Sequence, residues 1–139
     1  MDVIPYLHFN GNCAEAFAVY EKALGGKVIM VSKFGESPMA DQFPADMKDQ
    51  IMHISIQIGN TMLMGSDAPP NHYAKPQGMS VSVNVNSPAE ADNAFAALSE
   101  GGSVTMPIAE TFWSPRFGMC VDRFGIPWMV NCQGAAVAA

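Results

Sequence analysis

Residues 14–28 read AEAFAVYEKALGGKV, and residues 89–104 read AEADNAFAALSEGGSV. Aligned on Ala14-Glu15-Ala16 and Ala89-Glu90-Ala91, both stretches carry apolar side chains at helical spacing. The first has Ala16, Phe17, Val19, Tyr20, Ala23 and Leu24; the second has Ala91, Ala94, Phe95, Ala97 and Leu98. This is the i, i+3, i+4, i+7 face of an amphipathic helix. Each helix stops at a glycine pair, Gly25-Gly26 or Gly101-Gly102, as expected where the chain turns left-handed beyond a last turn. Start signals stand before both: Asn10-Gly11-Asn12 and Ser87-Pro88.

Strand-like segments surround both helices. Residues 4–9 precede the first and residues 79–85 the second. Residues 27–31 and 103–106 follow them, rich in β-branched side chains. Then comes an alternating pair in each half: 51–58 with 61–64, and 117–121 with 126–131. Gly59-Asn60 and residues 122–125, DRFG, read as the hairpin turns. Each half is therefore β-α-β-β-β. The copies lie about 75 residues apart, too far for a solenoid repeat. The repeat predicts an internal duplication of class α+β: two tandem βαβββ modules forming a curved, cup-like mixed sheet with the helices outside. The boundaries are one domain over 1–139, with module one at about 1–68 and a proline-rich linker at about 69–78. Module two spans about 79–133, and a tail spans 134–139. Residues 32–50, rich in Gly, Pro, Asp and Lys, read as a long mobile loop.

Seven basic and thirteen acidic side chains leave a net charge of −6. That balance repels phosphate backbones and anionic lipid, and no basic cluster offsets it, so neither nucleic acid nor membrane is an expected partner. No apolar run approaches the roughly 18 residues of a membrane helix. No basic-then-apolar leader opens the sequence, so the expected address is the cytoplasm. Cys13, Cys120 and Cys132 form no CxxC pair and are odd in number, which predicts buried reduced thiols rather than a disulfide framework. The eleven methionines fit either core filling or an adaptable ligand lining.

Alternation sorts the strands into faces. In 51–58 one set is Met52, Ile54, Ile56 and Ile58, and the other is His53, Ser55 and Gln57. In 79–85 the apolar set is Met79, Val81, Val83 and Val85, against Ser80, Ser82 and Asn84. The apolar sets must pack on the helices. The polar sets either meet water or line a cavity. Small and amphipathic side chains there, in place of Lys and Glu, point to a cavity with mixed walls, the usual form of a small-molecule site.

Three stretches carry a resemblance: PYLHFNGNCAEAFAVYEKALGG at 5–26, IMHISIQIGNTMLMGSD at 51–67, and AETFWSPRFGMCVDRFGIPWMVN at 109–131. With them the chain resembles the PhnB-like branch of the glyoxalase/bleomycin-resistance/dioxygenase group, the vicinal oxygen chelate superfamily. The resemblance implies paired βαβββ modules, and homodimers in which sheets from two chains complete the cups. Superfamily enzymes hold a divalent metal with four inward side chains. Carried over by position, these are Pro5, His53, Ser80 and Met129. Of these only His53 is a conventional ligand, so the divalent metal is not supported by a full ligand set and the cofactor stays unknown. The cavity set read this way is Pro5, Leu7, Ser55, Gln57, Ser80, Ser82, Trp113 and Met129. His8, out of phase with Pro5, is expected on the other face.

Two functions stay open. One is a binding protein that holds a small, partly aromatic or apolar molecule in the cup. The other is a glyoxalase-type lyase, isomerase or hydrolase, using His53 with a metal or with Glu110 as a base and its carboxylate partner. His53 also reads as an interior hydrogen-bonded histidine. Of Phe112 and Trp113, placed on one strand, one is expected to pack and one to line the cavity. Trp128, out of phase with Met129, is expected beneath a helix. Arg116 is expected to pair with Asp122 or Glu110, or to meet a ligand anion. Some PhnB-like sequences carry a demethylubiquinone methyltransferase label. That chemistry needs a nucleotide-type cofactor cradled by a glycine-rich strand-to-helix turn, and no GxGxxG-like stretch follows a strand here.

Overall fold

A computed structural model of the chain describes residues 1–69 and 71–134. Pro70 of the expected linker and residues 135–139 of the expected tail lie outside these. The chain divides into two units, Met1–Ala74 and Lys75–Ala139, the division falling within the expected linker.

The first unit runs β1 (Tyr6–Phe9), α1 (Cys13–Leu24), β2 (Lys27–Lys33), β3 (Ile51–Ile58) and β4 (Thr61–Asp67). Its sheet has the order β1-β4-β3-β2, with β1 parallel to β4 and the other pairs antiparallel. The second unit repeats this as β5 (Val81–Val85), α2 (Pro88–Ser99), β6 (Ser103–Ala109), β7 (Phe117–Val121) and β8 (Pro127–Cys132), in the order β5-β8-β7-β6. β5 is parallel to β8, and the remaining pairs are antiparallel. The two βαβββ modules give the α+β class.

Each helix lies on one face of its own sheet. The core of the first unit joins Leu7 and Phe9 of β1, Phe17 and Tyr20 of α1, and Ile54 and Ile56 of β3, all buried. The second joins Phe95 and Leu98 of α2 with Cys120, Trp128 and Val130. A strand glycine lets each helix settle: a Cβ on Gly65 would stand 2.7 Å from the Phe17 ring, and one on Gly118 2.8 Å from the Phe95 ring.

The helix starts differ from one another. Ser87 caps α2 as expected: its Oγ accepts from the Glu90 N–H at 3.2 Å, with Pro88 in the first turn. At α1 the cap position, Asn12, makes no side-chain bond. Asp67, from the end of β4, replaces it, its Oδ1 accepting from the N–H groups of Gly11 (2.9 Å) and Cys13 (3.0 Å).

Residues 32–50 are not the irregular loop the composition suggested. Ser32 and Lys33 continue β2, and short 3-10 turns follow at Phe34–Glu36, Ala40–Gln42 and Ala45–Met47. Phe34 and Met47 are buried, and Phe34 meets Phe43 at 4.7 Å between ring centroids, so apolar anchors fold the segment down. Met79, expected to pack on a helix, precedes β5 and is exposed.

Candidate functional site

In the first unit the helix-free face is set by the phase of β1. Leu7 and Phe9 point into the core, so Tyr6 and His8 point the other way. One register row across that face runs Tyr6, Met64, Ser55, Met30. In the next row β1 pairs His8 with Ser66, and β2 pairs Ser32 with His53. The Tyr6 hydroxyl lies 3.1 Å from His53 Nδ1. It donates when His53 carries its proton on Nε2 and accepts when the proton is on Nδ1. The Tyr6 ring stands 5.6 Å from that of His53 and 5.2 Å from that of His8. The bond orients the imidazole and leaves Nε2 as its remaining hydrogen-bonding atom. The Ser32 hydroxyl oxygen is buried and has no partner among the described residues.

This geometry corrects several expectations. Leu7 is a core residue against α1, not a cavity residue. Pro5 precedes β1, is exposed, and uses its carbonyl to accept from the Met64 N–H at 3.1 Å. His8 shares a face with His53, because packing of Leu7 and Phe9 fixed the strand's phase opposite to the one assumed. Gln57 spends its amide on the Gly59 carbonyl at 3.1 Å, closing its own turn. Ser55 sits on the helix-free face yet is buried between longer neighbours.

In the second unit the helix-free face carries two rows. One is Ser82, Met129, Met119, Met106; the other is Asn84, Asn131, Phe117, Ala109. Ser80 stands just before β5 and is half-buried. Asn131 Nδ2 donates to Asn84 Oδ1 at 3.3 Å, while Asn131 Oδ1 is buried and has no partner among the described residues. Phe112 and Trp113 lie in the turn before β7, not on a strand, so the one-in, one-out rule does not apply to them. Both are exposed, Trp113 at 43%, and Trp113 meets the buried Phe117 ring edge-on at 5.3 Å. Arg116 pairs with neither Asp122 nor Glu110: its Nε lies 3.1 Å from Asp92 Oδ1 on α2, an exposed pair. Glu110 is exposed beyond the end of β6. Trp128 packs beneath α2 and donates from Nε1 to Asp122 Oδ2 at 2.8 Å.

Tyr6, His8 and Asn131 join the candidate residues without being assigned from the sequence, whereas Asn84 already stands there in the polar row with Ser80 and Ser82. Reading YLHF with Leu7 and Phe9 as its apolar pair would have found the first two.

The four positions carried over from metal-binding relatives do not fit a divalent metal. Pro5 has no donor, Ser80 is a poor ligand and Met129 a soft thioether. His8 adds a second imidazole to the face of His53, still short of the three good ligands that catalytic sites use. Among the described residues, no group of three or more His, Cys, Asp or Glu could hold a metal ion. A nucleotide-type cofactor fits no better. Asp67 already accepts from the Gly11 and Cys13 amides at the start of α1, and Ser87 from the Glu90 amide at the start of α2. The thiols are also quiet. Burial, with Asp67 nearby, pushes Cys13 far above the usual range, and burial, with Asp122 nearby, pushes Cys120 up to about 11.

Comparison with known proteins fits this architecture. The family model described as 3-demethylubiquinone-9 3-methyltransferase matches residues 1–131. Protein YjdN of Escherichia coli (strain K12) is 34% identical, the match covering 94% of this chain and 95% of that protein. The crystal structure of protein PA1353 from Pseudomonas aeruginosa is 51% identical, with a TM-score of 0.87 over 96% of this chain and 98% of that one. A PhnB protein from Bacillus cereus, described as a putative 3-demethylubiquinone-9 3-methyltransferase, is 21% identical with a TM-score of 0.80 over 96% and 100%. The fold alone extends to the fosfomycin resistance protein FosX from Listeria monocytogenes, 8% identical with a TM-score of 0.66 over 100% and 97%. On the duplicated βαβββ fold and these matches, the chain belongs to the family described as 3-demethylubiquinone-9 3-methyltransferase.

Proposed function

We propose that this protein binds a small, partly aromatic or apolar molecule on its helix-free sheet faces. Tyr6, His8 and His53 form the seat in the first unit, and Ser80, Ser82, Trp113 and Met129 form a separate one in the second. The observation that carries this reading is the Tyr6–His53–His8 ring cluster, a face of adjoining, mutually tilted amphipathic rings where a solvated sheet would carry Lys and Glu. Native mass spectrometry of the protein as purified, with a thermal-shift screen of small aromatic compounds, tests it. A saturable stabilisation that Tyr6→Ala and His53→Ala abolish is expected. No co-purified mass and no shift across the screen would overturn it.

The Tyr6–His53 bond favours a second reading, an enzyme in which His53 is a positioned base through Nε2. Metal-depleted protein reloaded separately with Zn, Mn, Ni and Fe separates the two. Our reading expects no stoichiometric retention. One equivalent held by the wild type and lost in His53→Ala would make the enzyme the working description. The methyltransferase named in the family description is not part of either reading, since both strand-to-helix turns are closed by the chain's own Asp67 and Ser87.

We also take the protein to be a cytoplasmic homodimer. Three buried, separate thiols suit a reducing compartment. Edge strand β2 carries Val28, Ile29, Met30 and Val31 in succession, all exposed, the last three at 50–52%, and β6 adds exposed Val104 and Met106. Such edges are either covered or a liability to aggregation, and a second copy is the cover proposed.

A further inference from the structure

We infer that the helix-free face of the second unit is a seat for a planar aromatic molecule with a lactam edge, an N–H and a C=O side by side on the ring. This rests on the small-molecule reading and narrows its ligand. Three independent features of one face carry it. The first is a stacking surface: the Trp113 ring is 43% exposed, is braced edge-on at 5.3 Å by Phe117, and Phe117 is itself buried. Phe112 also meets the Trp113 ring edge-on at 4.7 Å, and a ring braced on two neighbours yet still part-exposed stacks a flat partner at little entropic cost. The second is a compliant floor. Met106, Met119 and Met129 are register neighbours across β6, β7 and β8, and thioether side chains mould to flat rings.

The third feature supplies the polar match. Asn131 is the direct cross-strand partner of Phe117 and the parallel neighbour of Asn84. Its Nδ2 is committed to Asn84 Oδ1 at 3.3 Å, and its Oδ1 is buried without a partner among the described residues. A buried carbonyl oxygen left unpaired is costly, and native structures rarely keep one unless a ligand or water fills the place. The missing partner is a donor, and a ring N–H beside the aromatic surface supplies it. The adjacent lactam carbonyl then meets the Asn84 amide or water. Because a lactam offers donor and acceptor together, it matches the Asn131 amide in either orientation.

The matched probes are carbostyril, a flat bicyclic lactam, and N-methylcarbostyril, which keeps the ring and loses the N–H. Binding of both to the full chain is followed by NMR of nitrogen-labelled protein. Carbostyril is expected to shift the Asn131 side-chain amide and the Trp113 indole resonances and to bind about tenfold tighter than its N-methyl form. Trp113→Ala, a change at an exposed ring, is expected to weaken both probes alike. Asn131→Leu is expected to erase the difference between them, and should that variant not fold, the wild-type amide resonances decide the point. Equal binding of the two probes, or shifts confined to other residues, would overturn the lactam seat. So would absence of binding, which would mean that only water meets Asn131. If the screen described above finds a ligand that depends on Tyr6 and His53 while carbostyril fails, the seat falls and the binding reading stands.

Discussion

Asp67 is nearly fully buried, and its two oxygens accept three backbone N–H groups: Gly11 and Cys13 on Oδ1, and Ile51 on Oδ2 at 2.9 Å. One carboxylate thus caps α1 and pins the start of β3. Asp122 does the equivalent work in the second unit. Its Oδ1 accepts from the Phe124 and Ile126 N–H groups, both at 2.9 Å, and its Oδ2 from the Trp128 indole. Replacing either by Ala strands several buried donors, so Asp67→Ala and Asp122→Ala are each expected to cost about 2–4 kcal/mol in urea unfolding. A loss under about 1 kcal/mol would show that water takes over these bonds. Cys120 gives a pH prediction. Its thiol is raised from 9.0 to about 11 by burial and then by Asp122, so the native state holds this proton more firmly than the unfolded chain. The associated stability is full below about pH 9 and is lost as pH rises through about 11. Unfolding midpoints of wild type and Cys120→Ala, compared at about pH 8 and about pH 10, should converge or cross in that direction. At about pH 8 an aromatic disulfide reagent should label Cys13 and Cys120 only as fast as the protein unfolds.

Helices and strands meet through missing side chains. A Cβ on Gly65 would lie 2.7 Å from the Phe17 ring and 2.8 Å from the Leu7 carbonyl oxygen, and the backbone atom cannot swing aside. Gly65→Ala is therefore expected to cost about 1–3 kcal/mol by overpacking, measured by thermal unfolding. An unchanged midpoint would mean that α1 can lift off β4 freely. At the level of β1, one residue of phase decides which side chains are functional. The sequence reading placed Pro5 and Leu7 inward by positional analogy. The structure turns Leu7 and Phe9 to α1 because two large apolar side chains flanking a polar one can be buried only together. Tyr6→Phe keeps the ring and removes the hydroxyl that orients His53. It should leave stability nearly unchanged and alter the nitrogen chemical shifts of the His53 ring at fixed pH in NMR, whereas an unaffected His53 would mean that the 3.1 Å contact does not persist in solution.

At the scale of the whole molecule, the net charge of −6 disfavours phosphate backbones and anionic lipid as partners. The exposed apolar edge of β2 makes self-association the prediction at this scale. Light scattering at micromolar concentration should give a dimer, and Val31→Lys, which sets a charge among Ile29, Met30 and Val28, should shift it toward monomer. A monomeric wild type would remove the homodimer from the proposed function. The exposed Arg116–Asp92 pair adds little in either state, about 0–1 kcal/mol.

The duplicated module was legible in the sequence because it rests on local chemistry: helical spacing, glycine stops, alternation and turn residues. Strands at 51–58 and 117–121 fell where alternation put them, since neighbouring side chains point apart in any extended chain. The likeness to the PhnB-like branch was equally a property of the string of residues. What only tertiary structure decided is long-range. Sequence does not show that Asp67 reaches back to cap α1, that Phe34 and Met47 fold the segment after β2, or that Arg116 finds Asp92. It does not show that Asn131, beside Phe117, is left with an oxygen unpaired among the described residues. Each depends on which strands become neighbours and in what register, and that choice is made by packing the whole unit rather than by any stretch of it.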